Sequence, residues 1–502
     1  MAFGSFEVGV IQRTPVPELS AADREALAGL ARRAWALKRS LDTRNETSHA
    51  FELPALLSCI RNASSVRAEV SKHEYSLAMR AAMWGERARA VDAELASIQA
   101  EIDERCFDLY GIGEEDRRAI APEKAGPMPA DGDDAAIDSD KYTDEAGAEA
   151  DDGYEADDDA AADAAGLTAE LVSWAFGAAF GRFDVRLATG GREPPPAPAP
   201  FDPLPACSAG MLTGPDGLPC AAPPEGYPVA FPENGILVDD PGHPRDIEPL
   251  VRSILDAIVF AGQPVEQEIC EILGVKSLRE YFRKPALFFA DHLKRYSKSR
   301  RKAPIYWPLS TASGSYTLWV YYHRLTDQTL YACITDFVEP KIADVEKDLA
   351  RVRARMGEAP SAKDRKAAEE LESLLHELKD FRDELLRVAK LPYKPDLNDG
   401  VMITAAPLAR LFLHKPWQKE LLACWKKLEA GEYDWAHLAL SIWPARVREK
   451  CKTDKSLAIA HDLESLYVAP PEAPKKKRRT TEAQRHGEGN EQPGLEDTET
   501  PE

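Results

Sequence analysis

Residues Lys294 to Tyr322 read KRYSKSRRKAPIYWPLSTASGSYTLWVYY, and the interpretation of the whole chain starts from this stretch. Its first part is a cluster of cations. Its second part predicts a β-hairpin with strands at Ile305–Trp307 and Tyr316–Tyr322 around a turn that contains Ser, Thr and Gly. Aromatic and β-branched residues favour strands because they fit a pleated, half-buried surface. Cations beside rigid aromatic strands are typical of proteins that bind a polyanion with flat bases.

The cationic cluster begins upstream of this stretch. Residues 276–302 hold ten Lys and Arg residues against Glu280 and Asp291, which gives a local charge of +8. The cations would neutralise DNA phosphates, and neighbouring aromatic residues would approach base edges. The predicted DNA-binding residues are Lys276, Arg279, Arg283, Lys284, Lys294, Arg295, Lys298, Arg300, Arg301, Lys302, Tyr306 and Trp307. A basic cluster alone is equally compatible with a solvated helix end followed by a core hairpin.

The net charge of the chain conceals a strong local asymmetry. The 502 residues carry a formal charge of −22, which by itself would argue against a nucleic-acid binder. However, residues 131–163 contain 15 Asp and Glu residues against one Lys, a local charge of −14. This composition predicts a disordered linker, which is either a solvated insertion or a mimic of DNA phosphates that competes for the basic cluster. The distribution of charge is therefore more informative than its sum.

Cysteine usage and hydropathy indicate an intracellular protein. The chain has eight Cys residues, and none forms a CxxC pair or lies beside a His at metal-ligand spacing. This pattern predicts reduced thiols, with neither a disulfide framework nor a metal site. No signal peptide begins the chain, and no apolar run approaches the ~20 residues of a membrane span. We therefore expect a soluble, cytoplasmic protein without a membrane partner.

Helical periodicity dominates the remaining sequence. Apolar residues recur every three or four positions between Trp84 and Leu109, and again across residues 342–388 on both sides of Gly357 and Pro360. The first pattern predicts one long helix, and the second predicts an antiparallel helical hairpin. Either element could be a DNA-facing arm or a structural strut. The predicted fold class is α+β and predominantly helical, with long helices and the helical hairpin around a small mixed or antiparallel sheet.

Six segments follow from these patterns and from changes in composition. They are 1–120, a strand at residues 3–12 plus a long-helix region; 121–166, the acidic disordered linker; 167–335, an α+β DNA-recognition region; 336–392, the helical hairpin; 393–468, a compact helical carboxy-terminal region; and 469–502, a disordered tail. The basic run Lys475–Arg479 in the tail is interpreted as a weak contact with a polyanion.

One glycine-containing stretch superficially resembles a loop that holds S-adenosylmethionine. Gly177 and Gly181 each follow a Phe, but a donor-binding loop should come after a strand. Here the glycines lie inside a helical pattern with Trp174 and Phe180, which favours close packing of the helix. We therefore expect no cofactor to be bound by this chain itself.

Several short motifs occur together in a fixed order and resemble the carboxy-terminal part of large adenine-specific DNA methyltransferases. They are Phe180-Gly-Arg-Phe-Asp-Val-Arg186, Arg301-Lys-Ala-Pro-Ile-Tyr-Trp307, Tyr321-Tyr-His-Arg324, Asp396-Leu-Asn-Asp-Gly-Val401, Tyr433-Asp-Trp-Ala-His437, Trp443-Pro-Ala-Arg-Val447 and Ser456-Leu-Ala-Ile-Ala-His461. The group includes type IIG restriction–modification enzymes and the methyltransferases of phage-defence systems of the BREX (PglX-like) and DISARM kinds. The likeness extends to about Leu466, without the acidic linker and the tail.

The resemblance implies methylation of adenine in duplex DNA with S-adenosylmethionine as the methyl donor. In the family, a separate preceding domain binds the donor and carries an Asn/Asp-Pro-Pro-Tyr motif that grips the extruded base. This chain lacks that motif: Arg192-Glu-Pro-Pro-Pro and Ala222-Pro-Pro-Glu have neither an Asn or Asp before the prolines nor an aromatic residue after them. The resemblance therefore implies a DNA-recognition and scaffold role, duplex DNA as a partner, and a separate catalytic domain or subunit that uses S-adenosylmethionine.

Two other functions remain open at this level. A magnesium-dependent nuclease would use clustered carboxylates, for which Asp239, Asp240, Asp396 and Asp399 are available, but no Glu-x-Lys accompanies them on a strand. A non-enzymatic coiled-coil adaptor would bind a partner through residues 342–388 and would have no affinity for DNA.

Overall fold

A computed structural model describes residues 15–63, 76–120, 164–259, 265–298, 301–356 and 361–469. The predicted strand at residues 3–12, nearly all of the acidic linker and the basic run of the tail lie outside these described residues. The chain divides into two compact units, residues 1–444 and residues 445–502. The boundaries of the six segments stay predictions.

The amino-terminal part of the described chain is a group of packed helices. The long helix α3 (Leu77–Tyr110) has 34 residues; it begins after Ser76, whose hydroxyl accepts the Met79 N–H, and its end is capped by Gly111, where φ is 66°. Its apolar seam packs against α1 (Ala21–Asp42), α2 (Ala55–Ala63) and α5 (Ala164–Ala179), so the long helix predicted from that seam is confirmed. The helices are α1 (Ala21–Asp42), α2 (Ala55–Ala63), α3 (Leu77–Tyr110), α4 (Glu114–Ile120), α5 (Ala164–Ala179) and α6 (Arg186–Thr189).

The central sheet has three antiparallel strands in the order β1 (Ile236–Asp239), β5 (Thr317–Tyr321) and β4 (Tyr306–Ser310). The predicted hairpin is confirmed as β4 and β5, in which Trp307 lies opposite Val320 and Leu309 opposite Leu318. The third strand, β1, pairs with β5 from the other side. From β1 to β5, the elements in chain order are β1 (Ile236–Asp239), α7 (Ile247–Val259), α8 (Val265–Leu273), α9 (Leu278–Arg283), a π-helical turn (Pro285–Phe289), α10 (Ala290–Arg295), the short strands β2 (Ser297–Lys298) and β3 (Arg301–Lys302), β4 (Tyr306–Ser310) and β5 (Thr317–Tyr321).

Helix α5 packs its aromatic residues onto this sheet. The ring of Phe176 lies 5.2 Å from Tyr306 and 5.0 Å from Trp319, measured between centroids. A Cβ atom at Gly177 would lie 2.6 Å from the Phe183 ring and 2.7 Å from the Tyr306 hydroxyl. At Gly181, where φ is 72°, it would lie 2.5 Å from Phe231. These glycines therefore allow close packing, and their surroundings do not fit a donor-binding loop.

The predicted antiparallel helical hairpin is confirmed as α12 (Glu339–Arg355) and α13 (Ala362–Ala389), which follow α11 (Thr329–Ala332) and a π-helical turn (Cys333–Val338). Its direction is shown by two ion pairs across the hairpin: Glu346 with Lys379 at 2.9 Å, and Arg353 with Glu372 at 2.7 Å. Glu377 of α13 accepts the backbone N–H of Ser313 at 3.1 Å, so the hairpin is fastened to the β4–β5 turn.

Short helices complete the described chain. They are α14 (Val401–Ala405), α15 (Lys415–Ala430), α16 (His437–Ile442), α17 (Pro444–Cys451) and α18 (Lys455–Ala460), with 3-10 turns at Tyr322–Arg324, Leu397–Asp399, Ala406–Leu411 and Glu464–Leu466. The predicted fold class, predominantly helical α+β with a small antiparallel sheet, is confirmed. Within the described ranges, none of the helices combines the length and the apolarity that crossing a bilayer requires.

Candidate nucleic-acid interface

The basic cluster ends in a two-stranded ribbon formed by β2 and β3. Lys298 lies directly opposite Arg301, and Ser297 lies opposite Lys302. Because side chains alternate between the two faces of a strand, the first pair shares one face of the ribbon and the second pair shares the other. Arg300, between the two strands, lies outside the described residues. The ribbon therefore presents two cations side by side on a single face.

The two faces of the ribbon differ in their partners. On the inner face, Lys302 forms an ion pair with Glu420 of α15. On the outer face, Lys298 and Arg301 are exposed, and neither forms an ion pair with a carboxylate among the described residues. Like charges directly opposite each other destabilise a pair of β-strands. A bound polyanion would neutralise both cations and remove this repulsion.

Three further predicted cations, Lys276, Lys284 and Lys294, precede the ribbon in the chain and are exposed. Lys294 is exposed in the last turn of α10, and Lys276 is exposed before α9. Lys284 is exposed and lies 2.7 Å from Glu280, one helical turn earlier. A surface ion pair of this kind contributes little and is easily exchanged for another anion. These side chains are therefore available to a polyanion.

Arg279 and Arg283 of α9 are both paired with carboxylates of the sheet layer. Arg279 binds Asp246 and Glu248, each at 2.6 Å, and it also contacts Asp239 of β1. Arg283 contacts both carboxylate oxygens of Asp239. Burial lowers the pKa of Arg279, but the hydrogen bond that its guanidinium donates to Asp246 and the neighbouring carboxylates outweigh this effect and raise the pKa overall. Both guanidinium groups join α9 to the sheet and are already neutralised.

Arg295 is also an internal cation. Its guanidinium lies 3.3 Å from the Glu46 carboxylate, which further accepts the Ser173 hydroxyl at 2.9 Å. Burial lowers the pKa of Arg295, but the charges of Glu46 and Glu170 hold it above its usual value. Arg295 thus anchors α10 to the helical layer beneath it, while its neighbour Lys294 faces solvent.

His292 fastens α10 to the central hairpin. Its Nε2 accepts the backbone N–H groups of Ile305, at 2.9 Å, and of Tyr306, at 3.1 Å. The ring is completely buried, and burial, followed by the charges of Arg295 and Arg182, lowers its pKa well below the usual value. The neutral imidazole therefore sets where the basic helix lies relative to β4.

Tyr306 and Trp307 lie in the core. Both side chains have an exposed fraction of 0%. The ring of Tyr306 stacks on Phe180 with 5.3 Å between centroids, and the Trp307 indole donates to the Pro304 carbonyl at 2.8 Å. Tyr306 and Trp307 are among the DNA-binding residues predicted from the sequence. Because neither ring has an exposed face, we do not include them among the proposed contacts with DNA.

Two charged residues of the family-like motifs, Asp184 and Arg324, make internal contacts. Asp184 binds Arg186 and Arg192, both at 2.8 Å, and the side chain of Asp184 is completely buried. Arg324 donates to four backbone carbonyls of residues 220–233, among them those of Cys220 at 2.9 Å and Pro232 at 2.7 Å. The sequence held a local signal for this role, since Asp184 lies between Phe183 and Val185, and Arg324 lies between a tyrosine pair and Leu325 with one His between.

Two of these motifs meet through Asp399, a contact that sequence reasoning missed. Its buried carboxylate accepts the backbone N–H groups of His437 and Leu438, each at 2.7 Å, and lies 3.1 Å from Nδ1 of the His437 ring. A carboxylate at this position caps the start of α16. From the sequence, Asp399 was considered as a carboxylate available to a nuclease and not as the cap of a helix 38 residues later.

The carboxylates considered for a nuclease have separate protein partners. Asp239 binds Arg279 and Arg283, and Asp240 binds Lys341 at 2.5 Å. Asp399 caps α16. Across the described ranges, no group of three or more His, Cys, Asp or Glu side chains is arranged to hold a metal ion. The described geometry gives this alternative no specific support.

Comparison with known proteins finds one informative similarity. The chain is 30% identical over 134 residues to the adenine-specific methyltransferase BrxX of Escherichia coli O9:H4 (strain HS). The matched region covers 26% of this chain and 11% of that protein. No family model matches the chain. Through this distant similarity, the chain is related to an adenine-specific methyltransferase, which supports a methyltransferase-related function.

Proposed function

We propose that this chain is the DNA-binding, target-recognition and scaffold portion of a site-specific adenine DNA methyltransferase of a restriction–modification or phage-defence system. The observation that carries the proposal is the outer face of the β2–β3 ribbon, where Lys298 and Arg301 lie side by side without carboxylate partners among the described residues. The similarity to BrxX supports the choice of enzyme class.

A two-stranded ribbon has dimensions that the major groove of B-DNA admits. The outer-face cations can contact phosphates on either side of the groove, and Arg301 can also donate two hydrogen bonds to a guanine edge. Lys294 follows the same helix-to-ribbon path and adds a phosphate contact. The internal arginines serve as supports, since Arg279 and Arg295 fix the elements that carry the exposed cations.

Methyl transfer itself is assigned to a separate catalytic domain or subunit. The family uses S-adenosylmethionine, and Gly177 and Gly181 are the glycines that could have formed a loop around it. The space beside Gly177 is filled by the ring of Phe183, and the space beside Gly181 by the ring of Phe231. No step of the reaction is therefore assigned to residues of this chain. Its proposed contribution is to place duplex DNA in a fixed register for the catalytic partner.

The proposal is tested by replacing Lys298 and Arg301 together with Ala and measuring the binding of a labelled duplex by fluorescence anisotropy. We expect weaker binding at all salt concentrations between about 50 and about 200 mM, and a log–log salt slope shallower by about two. The reason is that two phosphate-neutralising cations are lost.

The matched control replaces Lys347 and Arg351 of α12 with Ala. These two are exposed and paired with Asp344 and Asp348, so the same formal charge is removed from a different surface. The affinity of this control variant for the duplex and the salt slope of its binding should match those of the unaltered protein. Equal effects of the two double variants, or no binding of duplex by the unaltered protein, would contradict the assignment and would favour the adaptor alternative.

A further inference from the structure

The ribbon of β2 and β3 is joined to the rest of the protein at its base. Tyr296 directly precedes β2, and its carbonyl accepts the Ala303 N–H at 2.9 Å, which closes the base of the ribbon. Lys302 is the last residue of β3. The exposed pair of Lys298 and Arg301 therefore lies at the far end, next to the connection between the strands. Because an isolated two-stranded ribbon is only marginally stable, its orientation depends on the contacts of its base.

The first contact of the base is with Arg182, a residue of the first family-like motif that follows α5. Its guanidinium donates through Nη1 to the Tyr296 hydroxyl and through Nη2 to the Glu46 carbonyl at 3.2 Å. Its central carbon, Cζ, lies 5.2 Å from the centre of the Tyr296 ring and 4.7 Å from that of the Phe183 ring. Cation–π contacts at these distances add to the two hydrogen bonds. Arg182 thus holds the residue before β2 by both its ring and its hydroxyl.

The second contact of the base is the ion pair between Lys302 and Glu420 of α15. Both side chains are partly exposed, so the pair contributes little to overall stability, but it fixes which side of the ribbon faces α15. Arg182 comes 114 residues before its tyrosine, and Glu420 comes 118 residues after its lysine. Each strand of the ribbon is therefore held by a different part of the chain.

We propose that Arg182 and Glu420 are positioning residues of the ribbon, which fix the orientation of its outer face so that Arg301 reaches one base edge and not its neighbours. This inference rests on the proposed function and deepens it, because it separates recognition of a sequence from attraction to phosphates. Phosphate contacts tolerate a change in orientation, since the charge of the backbone repeats along the duplex. A bidentate contact with guanine tolerates little, because both hydrogen bonds need fixed directions.

The test begins by selecting, with the unaltered protein, the best-bound duplex from a pool of duplexes with a randomised centre. Fluorescence anisotropy then gives the affinity of each variant for this duplex and for a scrambled duplex of the same length, and the ratio of the two affinities measures selectivity. Glu420→Gln should reduce this ratio by about 5- to 100-fold, the contribution of one bidentate base contact. It should also steepen the salt slope for the scrambled duplex by about one, because Lys302 is set free.

Two further variants separate positioning from charge. Tyr296→Phe should reduce the ratio without changing the salt slope, because it removes the hydroxyl that Arg182 holds and no surface charge. The exchange of Lys302→Glu with Glu420→Lys should restore both the ratio and the slope, since the ion pair forms again with its partners reversed. A loss of stability alone would lower the amount of active protein and would change neither quantity.

The matched control is Glu372→Gln, which frees Arg353 of the helical hairpin from an ion pair at 2.7 Å and should change neither the ratio nor the slope. An unchanged ratio in Glu420→Gln or in Tyr296→Phe, a charge exchange that restores nothing, or a pool bound without enrichment would overturn the positioning role while the ribbon assignment stands. If the unaltered protein binds no duplex, the proposed function fails and this inference fails with it.

Discussion

At the scale of single residues, His292 joins the basic helix to the sheet through one nitrogen atom that accepts two backbone N–H groups. It can do so only while its imidazole is neutral, and its buried position lowers its pKa well below about 6.5. The unfolded chain binds a proton at this residue as the pH falls through that value, whereas the folded chain does not. Stability is therefore complete above about pH 6.5 and decreases below it.

We predict that the free energy of unfolding falls by up to about 1.4 kcal/mol per pH unit below pH 6.5 because of this residue. His292→Gln should be less stable at neutral pH, since its geometry differs, but its stability should fall less steeply between about pH 6.5 and about pH 5. Urea unfolding across that range measures both. If the free energies of unfolding of the two proteins fall in parallel with pH, the role of His292 is refuted. His323, whose burial lowers its pKa to about 4, is present in both proteins and therefore contributes equally to both curves.

Adjacent residues of α10 have opposite roles, which single substitutions can separate. Arg295→Ala leaves the buried Glu46 carboxylate without its guanidinium, and we expect a loss of about 3–5 kcal/mol in the free energy of unfolding. Lys294→Ala should leave stability nearly unchanged and reduce the salt slope of DNA binding by about one. Thermal unfolding and anisotropy on both variants check this pair; a stable Arg295→Ala protein would show that the internal ion pair is not needed.

At the scale of elements, the spacing of apolar residues predicted which of the longer segments form helices and which form strands. The long helix, the helical hairpin and the β-hairpin all follow from apolar spacing and turn residues over short distances, and each is confirmed. The β2–β3 ribbon escaped prediction because its strands have two residues each and carry no apolar alternation. Its antiparallel pairing is visible only in the register of Ser297 with Lys302.

Helix α5 shows how close packing restricts an element. Gly177→Ala would improve helix propensity, but its Cβ would meet the Phe183 ring and the Tyr306 hydroxyl, so we expect a net loss of about 1–3 kcal/mol in the free energy of unfolding. The control is Gly29→Ala in α1, where nothing lies within 4 Å, and it should stabilise by about 0.5–1 kcal/mol. Urea unfolding measures both; a stabilised Gly177→Ala protein would contradict the packing.

At the scale of the whole molecule, the charge of the basic cluster is divided between support and surface. Carboxylates from distant parts of the chain, such as Glu46, Asp239 and Glu420, neutralise some of its cations. The remaining described cations of the cluster are exposed, and three of them, Lys294, Lys298 and Arg301, are those proposed to contact DNA. The local charge of +8 therefore overstates the field at the surface, although its location indicated where to look.

The candidate site could be predicted only in part from the sequence. The cluster's position and its sign are properties of the residues themselves. Whether Arg301 faces solvent or Arg295 faces a carboxylate depends on chain segments up to 249 residues away. The contact between Asp399 and His437 escaped prediction for the same reason, because 38 residues separate the two along the chain.

The sequence by itself determined the types of the elements, the predominantly helical α+β class and the uneven distribution of charge, because hydrophobic period, turn chemistry and charge are local properties. Only the tertiary structure decided that Tyr306 and Trp307 are core residues, that some arginines are supports, and that Lys298 and Arg301 share an open face. The physical reason is that burial and ion pairing belong to pairs of residues, and folding alone brings those pairs together.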